Sequence, residues 1–161
     1  MSTFRLGAVF AAPFWLCAVV TPLTAQADTD ACTLLTPLQV GAAVGVSVGD
    51  GKHVAPTFVK TCTWTASGDS DVKTVTLYLQ TAAAYEGGKQ MAGQMVAANN
   101  VGSVRSAGVG EDSYYFVTGG QVGLLVKKGG NSFKVTVYAT LPVDKKEAME
   151  LTLAKEVLAK L

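Results

Sequence analysis

Histidine occurs once in this chain, at position 53, and cysteine three times, at 17, 32 and 62. So few metal-ligating side chains cannot furnish the cysteine and histidine cluster of a structural zinc site, and no metal is expected. His53 can be combined on paper with Asp50 and a serine. No serine stands in a nucleophile-elbow pattern, so His53 reads as a loop residue rather than a catalytic base. The glycines of GGQVG and GVGED belong to turns, because no G-x-x-x-x-G-K-[ST] pattern leads from a strand into a helix. SGDSD at 67–71 lacks the twelve-residue spacing and closing glutamate of a calcium loop, which leaves Asp69 and Asp71 in a turn. Glu111 and Asp112 are adjacent, and neighbouring carboxylates on a loop point apart more often than they cooperate. No catalytic residue and no cofactor is expected.

Charge of one sign is also missing. The chain has 13 Lys and Arg against 12 Asp and Glu, with Lys127-Lys128 and Lys145-Lys146 as its basic pairs. A neutral chain without a basic cluster is no partner for nucleic acid or for an anionic membrane surface. The apolar run from Leu6 to Val20 falls short of the ~20 residues that span a bilayer. With Arg5 before it and Ala25-Gln26-Ala27 after it, the run reads as a signal peptide cleaved after Ala27. Cys17 follows Phe14, Trp15 and Leu16, which are too bulky for a lipidation site. Export to the periplasm or medium, without stable membrane insertion after cleavage, is the expectation. Cleavage leaves residues 28–161, or 161 − 27 = 134, enough for one domain with one core. Its balance is 12 basic to 12 acidic residues, since Arg5 is the one charged residue removed.

What the sequence does have is Ser113 to Ala139, which reads as three antiparallel strands joined by Gly119-Gly120 and Gly129-Gly130. Two-residue glycine loops supply the positive φ of tight hairpins, and loops that short set the register. Thr118 then faces Gln121, Val117 faces Val122 and Tyr115 faces Leu124. In the second hairpin Lys128 faces Asn131, Val126 faces Phe133, Leu124 faces Val135 and Val122 faces Val137. One side collects Tyr115, Val117, Val122, Leu124, Val126, Phe133, Val135 and Val137, all apolar or aromatic.

Upstream, Thr36 reads as a helix N-cap with Pro37 at the first helical position, Gln39 in capping-box position and Gly45 as the stop. Val46 to Pro56 is Gly-rich and ambiguous. Phe58 to Ala66 predicts a strand with Phe58, Cys62, Trp64 and Ala66 on one face and threonines facing solvent. Residues 72–80 predict its hairpin partner, with Val75, Leu77 and Leu79 inward. Thr81 to Asn99 switches to helical spacing through Tyr85, Gly88, Met91 or Ala92, Met95 and Ala98. Its methionines read as core filling. Val101 to Ala107 reads as a further strand. After Pro142 a final helix is expected, with Asp144 as N-cap and a stripe of Ala148, Leu151, Ala154, Val157, Leu158 and Leu161 lying on the meander.

Three stretches in this order, CTLLTPLQVGAAVG at 32–45, CTW at 62–64 and GVGEDSYY at 108–115 with LLVKKGG after it, resemble small exported bacterial domains of unknown function. Many of those are lipoproteins pairing an early Cys-x-Leu-Leu helix with a Cys-Thr-Trp strand. This chain departs from them in having no lipobox cysteine. The resemblance implies an α+β fold and a disulfide between the two cysteines, and it transfers no catalytic residue. Export into an oxidising compartment also favours a Cys32–Cys62 bridge, worth roughly 3–4 kcal/mol by loop closure.

The expected architecture is α+β, a single antiparallel sheet with helices packed on one face. The other face of the meander gathers Tyr114, Phe116, Leu125 and Tyr138, with Lys134 at its edge. These five form the candidate interaction face, provided no other segment shields them. The expected role is a non-catalytic exported binding or interaction module for an unknown protein or small apolar ligand. The alternatives are a small periplasmic enzyme and an inhibitor of a secreted or host protein. A pocket bringing Glu111, Asp112 or His53 within hydrogen-bonding reach of one another would favour the enzyme.

Overall fold

The computed structural model describes residues 29–99 and 102–161, so the proposed signal peptide lies outside the described residues. Two helices open the described chain, α1 (Ala31–Leu34) and α2 (Pro37–Val44). Strands β1 (Lys52–His53), β2 (Thr61–Thr65) and β3 (Val72–Thr81) follow, then α3 (Ala82–Asn99). The chain continues through β4 (Ser103–Ser106), β5 (Asp112–Thr118), β6 (Gln121–Lys128) and β7 (Asn131–Ala139) to α4 (Val143–Leu158). All seven strands form one antiparallel sheet in the order β1-β2-β3-β7-β6-β5-β4. Sheet plus helices make an α+β fold.

The meander forms as its turns dictate. Gly119 and Gly120 both adopt positive φ, and β5 pairs with β6 from Thr118↔Gln121 through Tyr115↔Leu124 in the expected register. The second hairpin holds its register from Lys128↔Asn131 to Leu124↔Val135. There the ladder stops, although both strands run on. The expected Val122↔Val137 pairing is replaced by a side chain: Glu150 of α4 accepts the Val137 N–H through Oε1 at 2.9 Å.

The inner face carries the core. Val75, Leu77, Leu124, Phe133, Val135 and Val137 are fully buried there with Cys62 and Trp64. Val40 and Val44 of α2 join this core, as do Leu153, Ala154 and Val157 of α4. Thr36 caps α2 with the full capping box, and Gly45 closes it in the left-handed conformation. The Cys32–Cys62 disulfide, with Cα atoms 5.0 Å apart, ties α1 to β2.

Several expectations need correction. Phe58 lies in a turn before β2, so strand alternation does not reach it, and its ring stacks on Tyr78 of the outer face. The final helix has Pro142 at its N-cap with no side-chain cap, and Asp144 falls inside the first turn. Its buried stripe is Lys146, Glu150, Leu153, Ala154 and Val157, while Ala148 is exposed. The stripe is rotated because two of its positions are charged, which apolar periodicity passes over. In α3 the residues facing the sheet are Tyr85 and Ala92, whereas Met91 and Met95 stand in solvent. Most consequentially, α3 packs on the outer face, opposite the other three helices.

Candidate functional site

The outer face is laid out by the registers. Thr61, Tyr78, Lys134, Leu125 and Tyr114 form one row across β2, β3, β7, β6 and β5. Thr63, Thr76 and Thr136 form the next, and Thr65, Thr74 and Tyr138 the one after. β-branched threonine suits a strand position that is half-covered or wet, which is why these alternate positions carry it.

α3 covers the β5 and β6 end of this face. Thr81 accepts the Ala84 N–H at its start, and Ala82 N donates to the Gly130 carbonyl, which launches the helix across the sheet. Tyr85 then lies 5.3 Å from the Tyr114 ring, and Ala92 completes a small apolar seam with Val104, Phe116 and Leu125 packed around it. Ion pairs hold the helix on both sides, Lys89 to Asp112 at 2.5 Å and Lys127 to Glu86 at 2.6 Å. The Lys89 hydrogen bond holds the Asp112 carboxyl below its usual range. Burial pushes Tyr114 up to about 12 and raises Tyr85 further. The Tyr85 hydroxyl faces the Asp112 carboxylate but closes no well-formed hydrogen bond.

The five residues expected to form an open interaction face are therefore divided. Tyr114 is only 2% exposed beneath α3, with Phe116 and Leu125 half-buried beside it, because Tyr85 offers these rings an internal partner. Lys134 lies flat over Gly123, where a Cβ would stand 2.6 Å from its Cε. Tyr138 alone among them is open, at 43% exposure.

The uncovered strip runs over β2, β3 and β7. Here Phe58 and Tyr78, 44% and 39% exposed, stack at 6.3 Å with an interplanar angle of 28°. Tyr78 also forms one wall of a cleft of about 450 Å³, where β3 runs on past the beginning of β2. The cleft is lined by Thr29, Lys60, Gln80, Thr81, Asn131 and Ser132 as polar groups, with Leu79, Ala84 and Leu161 as apolar ones. Its volume lies in the small-molecule range of roughly 300–1,000 Å³. Sequence reasoning missed it because it assigned Phe58 to the opposite face and gave Tyr78 no role.

The titratable groups singled out in the sequence do not meet. Glu111 accepts the Gly129 N–H at 2.9 Å, Asp112 pairs with Lys89, and His53 on β1 approaches Asp30 with Nε2 3.3 Å from Oδ2. None of the three lines the cleft. Asp30, Cys32 and His53 bring a carboxylate oxygen, a sulfur and a ring nitrogen within 4.8 Å of one another, with the sulfur committed to the disulfide.

Glu150 is the other group that sequence reasoning passed over. Its side chain is wholly buried in the gap between β6 and β7, with Oε2 unpartnered among the described residues. Burial pushes its carboxyl up to about 8, against the opposing pull of the Val137 N–H and of Lys134 and Lys146, while Glu147 adds to the rise. Among the described residues no helix is long and apolar enough to cross a membrane. No family model, no curated protein and no solved structure matches this chain.

Proposed function

We propose that this protein is an exported, non-catalytic binding module of the small bacterial kind that its sequence resembles, and that its ligand seats in the cleft beside Tyr78. One observation carries the reading: two half-exposed aromatic rings, Phe58 and Tyr78, stack where Tyr78 walls a cleft of about 450 Å³ whose lining mixes apolar and polar groups. Exposed aromatic surface costs free energy that a ligand's flat apolar face recovers, and the amide and hydroxyl groups of Gln80, Thr81, Asn131 and Ser132 suit a polar rim. The ligand class is a small molecule with one flat apolar face and hydrogen-bonding edges. Export is supported by the leader pattern of residues 1–27 and by the Cys32–Cys62 bridge.

A thermal-shift screen of the purified protein against sugars, nucleosides and aromatic acids tests this. A stabilising compound is expected to lose at least about tenfold in affinity with Tyr78→Ala, while Tyr138→Ser leaves it unchanged. Ligands that keep full affinity after both Tyr78→Ala and Phe58→Ala would place the site elsewhere.

A further inference from the structure

The disulfide sits among groups that a purely structural bridge does not require. Cys32 N donates to Asp30 Oδ1 at 2.7 Å, and the other oxygen of that carboxylate lies 3.3 Å from His53 Nε2. On the far side of the ring, Nδ1 is 3.1 Å from the Thr61 carbonyl and 3.6 Å from Cys32 Sγ. A ring carrying both protons therefore gives one N–H to Asp30 and shares the other between Thr61 and the sulfur.

Cys62 lies deeper, in apolar surroundings. Trp64, two residues along the same face of β2, is fully buried, and its Nε1 has no hydrogen-bond partner among the described residues. A Cβ on Gly51 would stand 2.6 Å from Cys62 Sγ, 2.8 Å from Trp64 Nε1 and 2.9 Å from Trp64 Cε2, so the loop backbone lies against both the sulfur and the indole ring. For the Nδ1 N–H of His53 a disulfide sulfur is a poor acceptor. A thiolate is a strong one. Cys32 thus has beside it a donor that gains its full value only when the bond is open.

We propose that Cys32–Cys62 is a redox-exchangeable pair that reacts with an external dithiol through Cys32. Cys32 is half-buried and Cys62 fully buried, so attack falls on Cys32. A thiolate of the dithiol attacks Cys32 Sγ. A mixed disulfide forms, the Cys32–Cys62 bond breaks, and the electron pair leaves on Cys62 Sγ. The dithiol's second thiolate then attacks its own bonded sulfur, releasing Cys32 as a thiolate next to His53 and the partner as a disulfide. Two electrons pass from dithiol to protein, and the protons shed by the dithiol go to solvent or to the new thiolates. The exchange is stoichiometric and independent of the cleft.

The test equilibrates the purified protein, near neutral pH, with mixtures of reduced and oxidised dithiothreitol, followed by alkylation and mass measurement with circular dichroism alongside. Reduction is expected to be reversible with the fold retained. His53→Gln should move the equilibrium about tenfold toward the disulfide, the loss expected for one hydrogen bond to a charged group. With glutathione disulfide, Cys62→Ser should trap a mixed disulfide on Cys32, and Cys32→Ser should trap none. Reduction that occurs only with loss of the circular dichroism signal overturns the proposal, as does an equilibrium that His53→Gln leaves unmoved.

Discussion

α3 and α4 lie on opposite faces of the same sheet and are held there by different physics. α4 buries Leu153, Ala154 and Val157 in the main core, and beside them two ionisable residues. Lys146 donates to the Gly120 carbonyl in the β5–β6 turn, and Glu150 fills the gap where the β6–β7 ladder ends. α3 buries only Tyr85 and Ala92 and is flanked by the solvent-accessible pairs Lys89–Asp112 and Lys127–Glu86. Half-exposed ion pairs contribute little, so the aromatic seam sets how firmly α3 is held. A dry interface can accommodate a buried carboxyl because the surrounding apolar contacts outweigh it; a thin one cannot.

The largest expected effect belongs to Glu150. The folded protein holds its proton up to about pH 8, whereas an ordinary glutamate releases it near 4.5. Stability from this group is therefore fully present below about 4.5, falls as pH rises, and levels off above about 8. At about 1.4 kcal/mol per pH unit, the difference amounts to roughly 5 kcal/mol. Urea melts of wild type and Glu150→Gln across that range should show the decline in the first and not in the second. Parallel pH profiles would mean that α4 does not bury an ionisable group.

Next in size is the core itself. Leu153→Ala should cost about 3 kcal/mol by urea denaturation, since a fully buried leucine leaves a cavity that a packed sheet cannot close. On the opposite face Phe116→Ser should cost about 1–2 kcal/mol, because its ring packs against the Tyr85 seam without being wholly enclosed. A loss as large as that for Leu153 would make the two interfaces equivalent and end the contrast. Smallest is Tyr138→Ser, expected to shift stability by less than about 0.5 kcal/mol because the ring is largely in water.

Local chemistry was enough for much of this molecule. The Gly119-Gly120 and Gly129-Gly130 loops with alternating apolar residues determine the meander and its inner face, because turn geometry and side-chain period act over about ten residues. Thr36, Pro37, Gln39 and Gly45 determine α2 for the same reason. The Cys32–Cys62 pairing was also legible, since removal of the proposed leader would leave these two cysteines to each other.

Long-range packing decided the rest. Whether α3 turns to the inner or the outer face depends on Tyr85 finding Tyr114, two residues 29 positions apart in the numbering. Which side of α4 is buried depends on Val137 needing an acceptor where β6 and β7 part, and that need brings a glutamate inward. Cys32, His53 and Asp30 meet because β1 pairs with β2 and the disulfide draws α1 against it. The cleft beside Tyr78 exists because β2 begins late and leaves the end of β3 uncovered. Periodicity reports how a segment is built; only the contacts between segments determine which of its polar groups lose water, and those are the groups on which the candidate sites rest.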